Sequence, residues 1–358
     1  MRSVTNLVPS LVALLVVADP AGAGPTGPPP QQRVSISNGE RKIVGDLWLP
    51  EGDGPFPAIL LIPGGGPGND AQPRQDTAKG FQTLTSLVPH FRERGIAALL
   101  VEPRRGPDET LEDRAGDVLA ALKFSRLRKE IDQDKIGLCG HSLGGIIASM
   151  VAARSKDVKF VVLLAGPTIA FIESSLSLME RVWRDSGAGE ADVGEMRETA
   201  RRFLTALKEG NSLEPHRAPL MKLFESQYAR LPLDQRKRFA GAKEFATTVV
   251  ARYMTTTAAD RFLMSYDPQA TLQQVRCPVL AIYADKDLKV PFAANREALL
   301  RSLPKGTDLT AMEIPGSDHM FQDVARPSTP QFVSGFPDIV AGWIMTRVSQ
   351  NTLRTQAR

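Results

Sequence analysis

The chain has 358 residues, 42% of them hydrophobic and 23% charged, which describes a soluble globular protein with room for one large domain or two ordinary ones. Its 44 Lys and Arg against 40 Asp and Glu leave a formal charge of only +4, and no stretch gathers basic residues with interleaved aromatics, which argues against a nucleic-acid partner. Two cysteines in the whole chain exclude a disulfide-built scaffold, so the fold must stand on its core.

In chain order, Met1-Arg2 is followed by an apolar run from Leu7 to Ala18 and by the small-x-small pattern Ala21-Gly22-Ala23. This pattern predicts a secretory signal peptide over residues 1–23, cleaved after Ala23 or alternatively near Ala18, and hence an exported protein, periplasmic or extracellular. The run is interrupted by Pro9 and is shorter than the about 20 residues a bilayer span requires, so no stable membrane span is expected in the mature form. Residues 24–32, rich in proline, read as a stiff, disordered lead-in.

Arg33 to Ser37 and Ile43 to Leu49 predict two antiparallel strands around an Asn38-Gly39 turn. Ala58 to Ile62 and Ile96 to Val101 are continuous apolar runs, the pattern of strands buried on both faces of a parallel sheet. Phe81 to Arg94 between them predicts a helix. Ala115, Val118, Leu122 and their neighbours form one apolar stripe of a helix over Leu111 to Arg128. Lys135 to Cys139, Phe160 to Leu164, Val279 to Tyr283 and Leu309 to Ile314 predict further strands, and Gln331 to Ser349 a closing helix. Strand and helix alternate, so the expected architecture is an α/β fold with a mostly parallel eight-stranded sheet flanked by helices. The alternation fails over residues 168–262, which carry helical patterns such as Met196, Ala200, Phe203, Leu204 and Leu207. That segment reads as a helical cap inserted into a core of residues 33–167 and 263–350, over the carboxyl ends of the strands. No aromatic stripe marks the cap, and Met179, Met221 and Leu223 read as its core.

Gly140-His141-Ser142-Leu143-Gly144 fits the G-x-S-x-G nucleophile elbow, and it lies between a predicted strand and the helix Leu143 to Ala153, as an elbow requires. Glycines on both sides of the serine let strand and helix approach closely. A serine hydroxyl is a weak nucleophile near neutral pH, so it needs a histidine base and an orienting carboxylate. Of the four histidines, His141 sits inside the elbow and is expected to point away, His90 lies in a helix pattern and His216 in the cap. His319 follows the last strand in Gly316-Ser317-Asp318-His319 and is placed to serve Ser142. Asp287, on the loop leaving the preceding strand, is the expected acid, with Asp285 the alternative; Asp318 reads as a solvated loop residue. The order Ser142, Asp287, His319 is that of an α/β-hydrolase. An oxyanion hole needs backbone donors, each worth about 3 to 4 kcal/mol to the transition state. Leu143 N–H supplies one, and the loop Pro63-Gly64-Gly65-Gly66-Pro67-Gly68 the other, through Gly65 or alternatively Gly66. The loop lacks the Gly-Lys-Ser/Thr that phosphate cradling would need. Cys139 and Cys277 read as buried thiols at opposite ends of two strands.

Together with Leu61-Ile62-Pro63-Gly64, Leu164-Ala165-Gly166-Pro167, Ser265-Tyr266-Asp267-Pro268, Cys277-Pro278-Val279-Leu280, Asp285-Lys286-Asp287 and Pro315-Gly316-Ser317-Asp318-His319, the elbow resembles the bacterial α/β-hydrolase esterases of the dienelactone-hydrolase and serine-aminopeptidase-like branch. The resemblance implies a serine esterase acting on small-molecule carboxylic esters, with no metal or organic cofactor. Pro63 departs from the histidine that many relatives place before the oxyanion glycine. An aminopeptidase or amidase, an acyltransferase, and a non-catalytic binding module on the same scaffold are the rival readings; acidic cap residues such as Glu173, Glu180, Glu190 and Glu195 would matter for capturing an amine.

Overall fold

Apolar residues occupy both faces of the central strands, and that double burial dictates helices above and below the sheet. The computed structural model describes residues 28, 31–65, 81–104, 108–328 and 331–356; the expected signal peptide, most of the lead-in and Gly66 lie outside them. The strands are β1 (Gln32–Asn38), β2 (Arg41–Trp48), β3 (Phe56–Ile62), β4 (Ala97–Glu102), β5 (Ile131–His141), β6 (Val161–Leu164), β7 (Val279–Ala284) and β8 (Leu309–Ile314). They form one eight-stranded sheet in the order β1-β2-β4-β3-β5-β6-β7-β8. β1 and β2 are antiparallel, β2 is antiparallel to β4, and every later pair is parallel.

Alternation along β3 sorts the core into two layers. Ala58, Leu60 and Ile62 pack with α2 (Leu111–Arg126) and α3 (Leu143–Arg154), whereas Ile59 and Leu61 pack with α1 (Val88–Glu93) and the closing helix. α2 begins at a capping box, in which Asp113 N–H donates to Thr110 Oγ1 at 3.3 Å and Thr110 N–H to Asp113 Oδ2 at 2.9 Å, satisfying donors that a helix start leaves unpaired.

After β6 the chain leaves the sheet for α4 (Phe171–Asp185), α5 (Glu190–Glu209), α6 (Arg217–Tyr228), α7 (Ala242–Met254) and α8 (Ala258–Ser265), then returns through α9 (Pro268–Leu272) to β7. α10 (Phe292–Ser302) follows β7 and α11 (Phe336–Gln356) closes the chain. Phe171, Leu176, Phe203, Leu220 and Phe224 of these inserted helices belong to the same hydrophobic cluster as β3 and α3.

Local departures from the sequence reading have local causes. The helix expected over Phe81 to Arg94 is broken by a turn at Ser86 and Leu87, and α1 restarts with Pro89 in its first turn, where the missing N–H does no harm. β5 starts at Ile131, where that residue pairs with Phe56. α11 starts only at Phe336, because Phe332 bridges Gln322 as extended chain. Cys139 is buried, but Cys277 is only half-buried; both are free.

Candidate active site

Parallel strands end on one edge of the sheet, and the loops after β3, β5, β7 and β8 therefore meet there. Ser142 joins β5 to α3 with φ 54° and ψ −126°, a conformation that costs a non-glycine residue about 1–3 kcal/mol. Its N–H donates to Leu164 O at 2.8 Å and its carbonyl accepts from Gly145 N–H at 2.8 Å, which hold it there. A Cβ on Gly140 would lie 2.1 Å from Gly144 O, and one on Gly144 would lie 2.1 Å from Ile62 O, so the crossing of strand and helix admits only glycine at both positions. Leu143 is the first residue of α3, and its N–H has no acceptor within the helix.

Asp287 follows β7 and is 3% exposed. Its Oδ1 accepts from the N–H groups of Lys289 at 2.8 Å and Val290 at 3.1 Å, and its Oδ2 lies 2.6 Å from His319 Nδ1. Burial by itself would raise the carboxyl, but the interaction with His319 and these hydrogen bonds outweigh it and hold the group below the usual carboxylate range. An acceptor on Nδ1 fixes the proton there and leaves Nε2 as the basic nitrogen. Ser142 Oγ makes no hydrogen bond to His319 among the described residues. The two are connected through His141, whose Nε2 donates to the His319 carbonyl at 2.9 Å with the rings 5.0 Å apart. His141 thus does point away from the serine side chain, yet toward His319. The requirement for Nε2–H leaves its buried Nδ1 unprotonated and, among the described residues, without a partner; burial pushes this imidazole down to about 3.

The other candidates fall elsewhere. Asp285 accepts from Ser317 N–H at 3.1 Å and pairs with Lys286 at 3.0 Å, tying the β7 loop to the β8 loop. Asp318 is half-buried rather than solvated, and its Oδ1 accepts from Met320 and Gln322 N–H, both at 2.9 Å, shaping the turn that presents His319. His90 lies 3.8 Å from the carboxylate of Asp338 and His216 packs edge-on to Phe203.

Gly65 has φ +95°, and its carbonyl accepts from Arg114 Nη1 at 3.0 Å while Pro63 O receives Nη2 at 3.4 Å. Arg114 is 2% exposed, and sequence reasoning passed it over. The available signal was a charged residue three positions after Leu111 on the apolar side of α2.

Ser142 and Leu143 also line a pocket that extends into the inserted helices, with Phe171, Met179, Phe203, Phe224 and Tyr253 among its walls. The absence of an aromatic stripe in the sequence is therefore misleading, since the rings come from different helices, and Met179 is a wall of the pocket rather than core alone. The cap acids are held by neighbours: Glu173 by Arg201 at 2.8 Å, Glu180 by Arg197, Glu190 by Arg184 at 3.0 Å and Glu195 by Lys222 at 2.9 Å. Among the described residues no group of His, Cys, Asp and Glu is arranged to hold a metal ion, and no helix is long and apolar enough to cross a membrane.

The sequence profile of the Alpha/beta hydrolase family matches residues 59–333. This chain belongs to the alpha/beta hydrolase family. A curated member-like relative, Esterase EstD of Thermotoga maritima, is 24% identical over 296 residues, 80% of this chain; the chain spans 60% of the length of that relative. Among solved structures, Est1E from Butyrivibrio proteoclasticus superposes with a TM-score of 0.52 at 15% identity, covering 88% of this chain and 99% of that one. The thermostable carboxylesterase EstE1 from a metagenomic library gives 0.52 at 18% identity, covering 88% of each. These likenesses show the alpha/beta hydrolase fold.

Proposed function

We propose that this alpha/beta hydrolase is a serine carboxylic-ester hydrolase in which Ser142 is the nucleophile, His319 the base and Asp287 the residue that orients it. The observation that carries the reading is the 2.6 Å pair of His319 Nδ1 and Asp287 Oδ2 beside a serine at a strained elbow. His319 Nε2 takes the Ser142 hydroxyl proton as Oγ attacks the ester carbonyl; the Gly65 and Leu143 N–H groups stabilise the oxyanion; the alcohol leaves with the proton from His319. Water, deprotonated by the same nitrogen, then cleaves the acyl-enzyme and releases the carboxylic acid. A serine–histidine hydrogen bond that is loose without substrate tightens once an ester is bound. The relative named as an esterase supports the ester class, and the pairing of the cap acids with arginine and lysine leaves them poorly suited to capture a substrate amine. The enzyme is exported, on the apolar run and small-x-small pattern of its first 23 residues.

The test is hydrolysis of p-nitrophenyl esters of increasing chain length, with Ser142→Ala and Asp287→Asn alongside. The expected outcome is loss of activity in Ser142→Ala and a fall in kcat on the order of 10⁴-fold in Asp287→Asn, where the histidine loses its tautomer control. A folded wild-type protein inactive on every ester would refute the reading.

A further inference from the structure

Among the polar residues that line the cap pocket, which include Ser174, Ser175 and the half-buried Lys289, Tyr253 stands apart. Three of the four tyrosines spend their hydroxyls on the protein: Tyr228 donates to Arg236 O at 3.2 Å, Tyr266 to Thr271 Oγ1 at 2.6 Å and Tyr283 to Gly166 O at 3.2 Å. Tyr253 does not. Its ring is fixed edge-on to Phe203, centroids 5.4 Å apart, and stacked on Phe224 at 5.5 Å. The residue is 6% exposed, yet among the described residues its hydroxyl has no hydrogen-bond partner, and its oxygen is not one of the sealed unpartnered atoms. Tyr253 lines the same pocket as Ser142 and Leu143.

A buried phenol without a partner is destabilising, a cost phenylalanine would avoid while keeping both ring contacts. Burial also raises the phenol's pKa, so the group stays protonated and acts as a donor. The walls around it, Phe171, Leu178, Met179, Phe203, Leu204 and Phe224, are apolar. Ser174, also in the wall, already donates to Lys289 O at 3.4 Å, and Ser175 is half-buried.

We infer that the cap pocket takes an ester limb that is apolar along its body and carries one hydrogen-bond-accepting oxygen, met by Tyr253 Oη. The inference rests on the esterase reading and names the substrate class of that site. An apolar pocket without a donor penalises any oxygen placed in it, because the oxygen leaves water unpaired; a pocket with one aligned donor rewards oxygen at one position and penalises it elsewhere.

The experiment is a series of p-nitrophenyl alkanoates of fixed length in which a single ether oxygen replaces each methylene in turn, every member compared with its all-carbon parent. One position is expected to exceed the parent in kcat/KM by about five- to tenfold, with the ratio falling to one or below in Tyr253→Phe and surviving in Ser175→Ala. The inference is overturned if no oxygen-bearing ester exceeds its parent in the wild-type protein, or if the gain survives Tyr253→Phe, or if it disappears in Ser175→Ala alone. The wild-type series suffices to overturn it, so the test does not depend on the folding of a variant. Hydrolysis of the all-carbon esters without any oxygen preference refutes this inference only, whereas no hydrolysis of any ester refutes the esterase reading.

Discussion

His141 shows how a residue next to the proposed nucleophile can matter through its own burial. It is 1% exposed, it must stay neutral to leave its Nδ1 bare in an apolar setting, and burial holds it down to about 3 against an unfolded value of about 6.5. Between those values the unfolded chain binds a proton that the folded protein refuses, so stability is lost as pH falls through that window. Lowering pH from 7 to 5 should therefore remove about 2 kcal/mol through this residue. The check is urea unfolding at both values for the wild type and His141→Gln, in which this share of the pH dependence should vanish; equal pH dependence in the two would refute it. Asp287 runs in the same sense, within its own, lower range. Its carboxyl is held low, so its stabilisation is complete above the ordinary carboxylate value of about 4 and fades only as pH drops below that.

At the scale of elements, α2 and the loop after β3 act as one unit. The Arg114 guanidinium ties the carbonyls of Pro63 and Gly65 to the helix, and that fixes the direction in which the loop's N–H groups face. Arg114→Met should keep the apolar stem while releasing the loop. The expected result is a kcat lowered by about 10- to 100-fold, the size of effect a small misplacement produces, with KM changed much less. A variant with wild-type kcat would show that the loop holds itself. The elbow itself was legible because its demands are local: a strand, two glycines without room for a Cβ, and a helix. Arg114 was not, because a single arginine on an apolar stripe does not say which carbonyls it will reach 49 residues earlier in the chain.

At the scale of the molecule, the inserted helices share a hydrophobic cluster with β3, α2 and α3, which predicts that cap and sheet unfold as one cooperative unit. The tryptophans give the means to check this, since Trp183 is buried in the cap at 2% exposure while Trp48 and Trp343 pack on the sheet. In a Trp48→Phe, Trp343→Phe background, Trp183 fluorescence and far-UV circular dichroism should report the same urea midpoint. A cap transition at clearly lower urea would show that the helices unfold on their own. The same packing explains why the pocket was invisible from the sequence: Phe171, Phe203, Phe224 and Tyr253 come from α4, α5, α6 and α7, one ring from each helix, so no stripe on any one helix announces them.

The sequence by itself determined the alternation of strand and helix, the elbow, and the candidate residues Ser142, Asp287 and His319, because hydrophobic period and backbone stereochemistry act over neighbours in the chain. Only the tertiary structure decided that Asp287 rather than Asp285 meets His319, that Asp318 is spent on its own turn, and that Arg114 meets the loop after β3, His141 meets His319 and Tyr253 lines the pocket. Those choices depend on which strand ends lie side by side and how the inserted helices pack over them, contacts between residues far apart in sequence that no local pattern encodes.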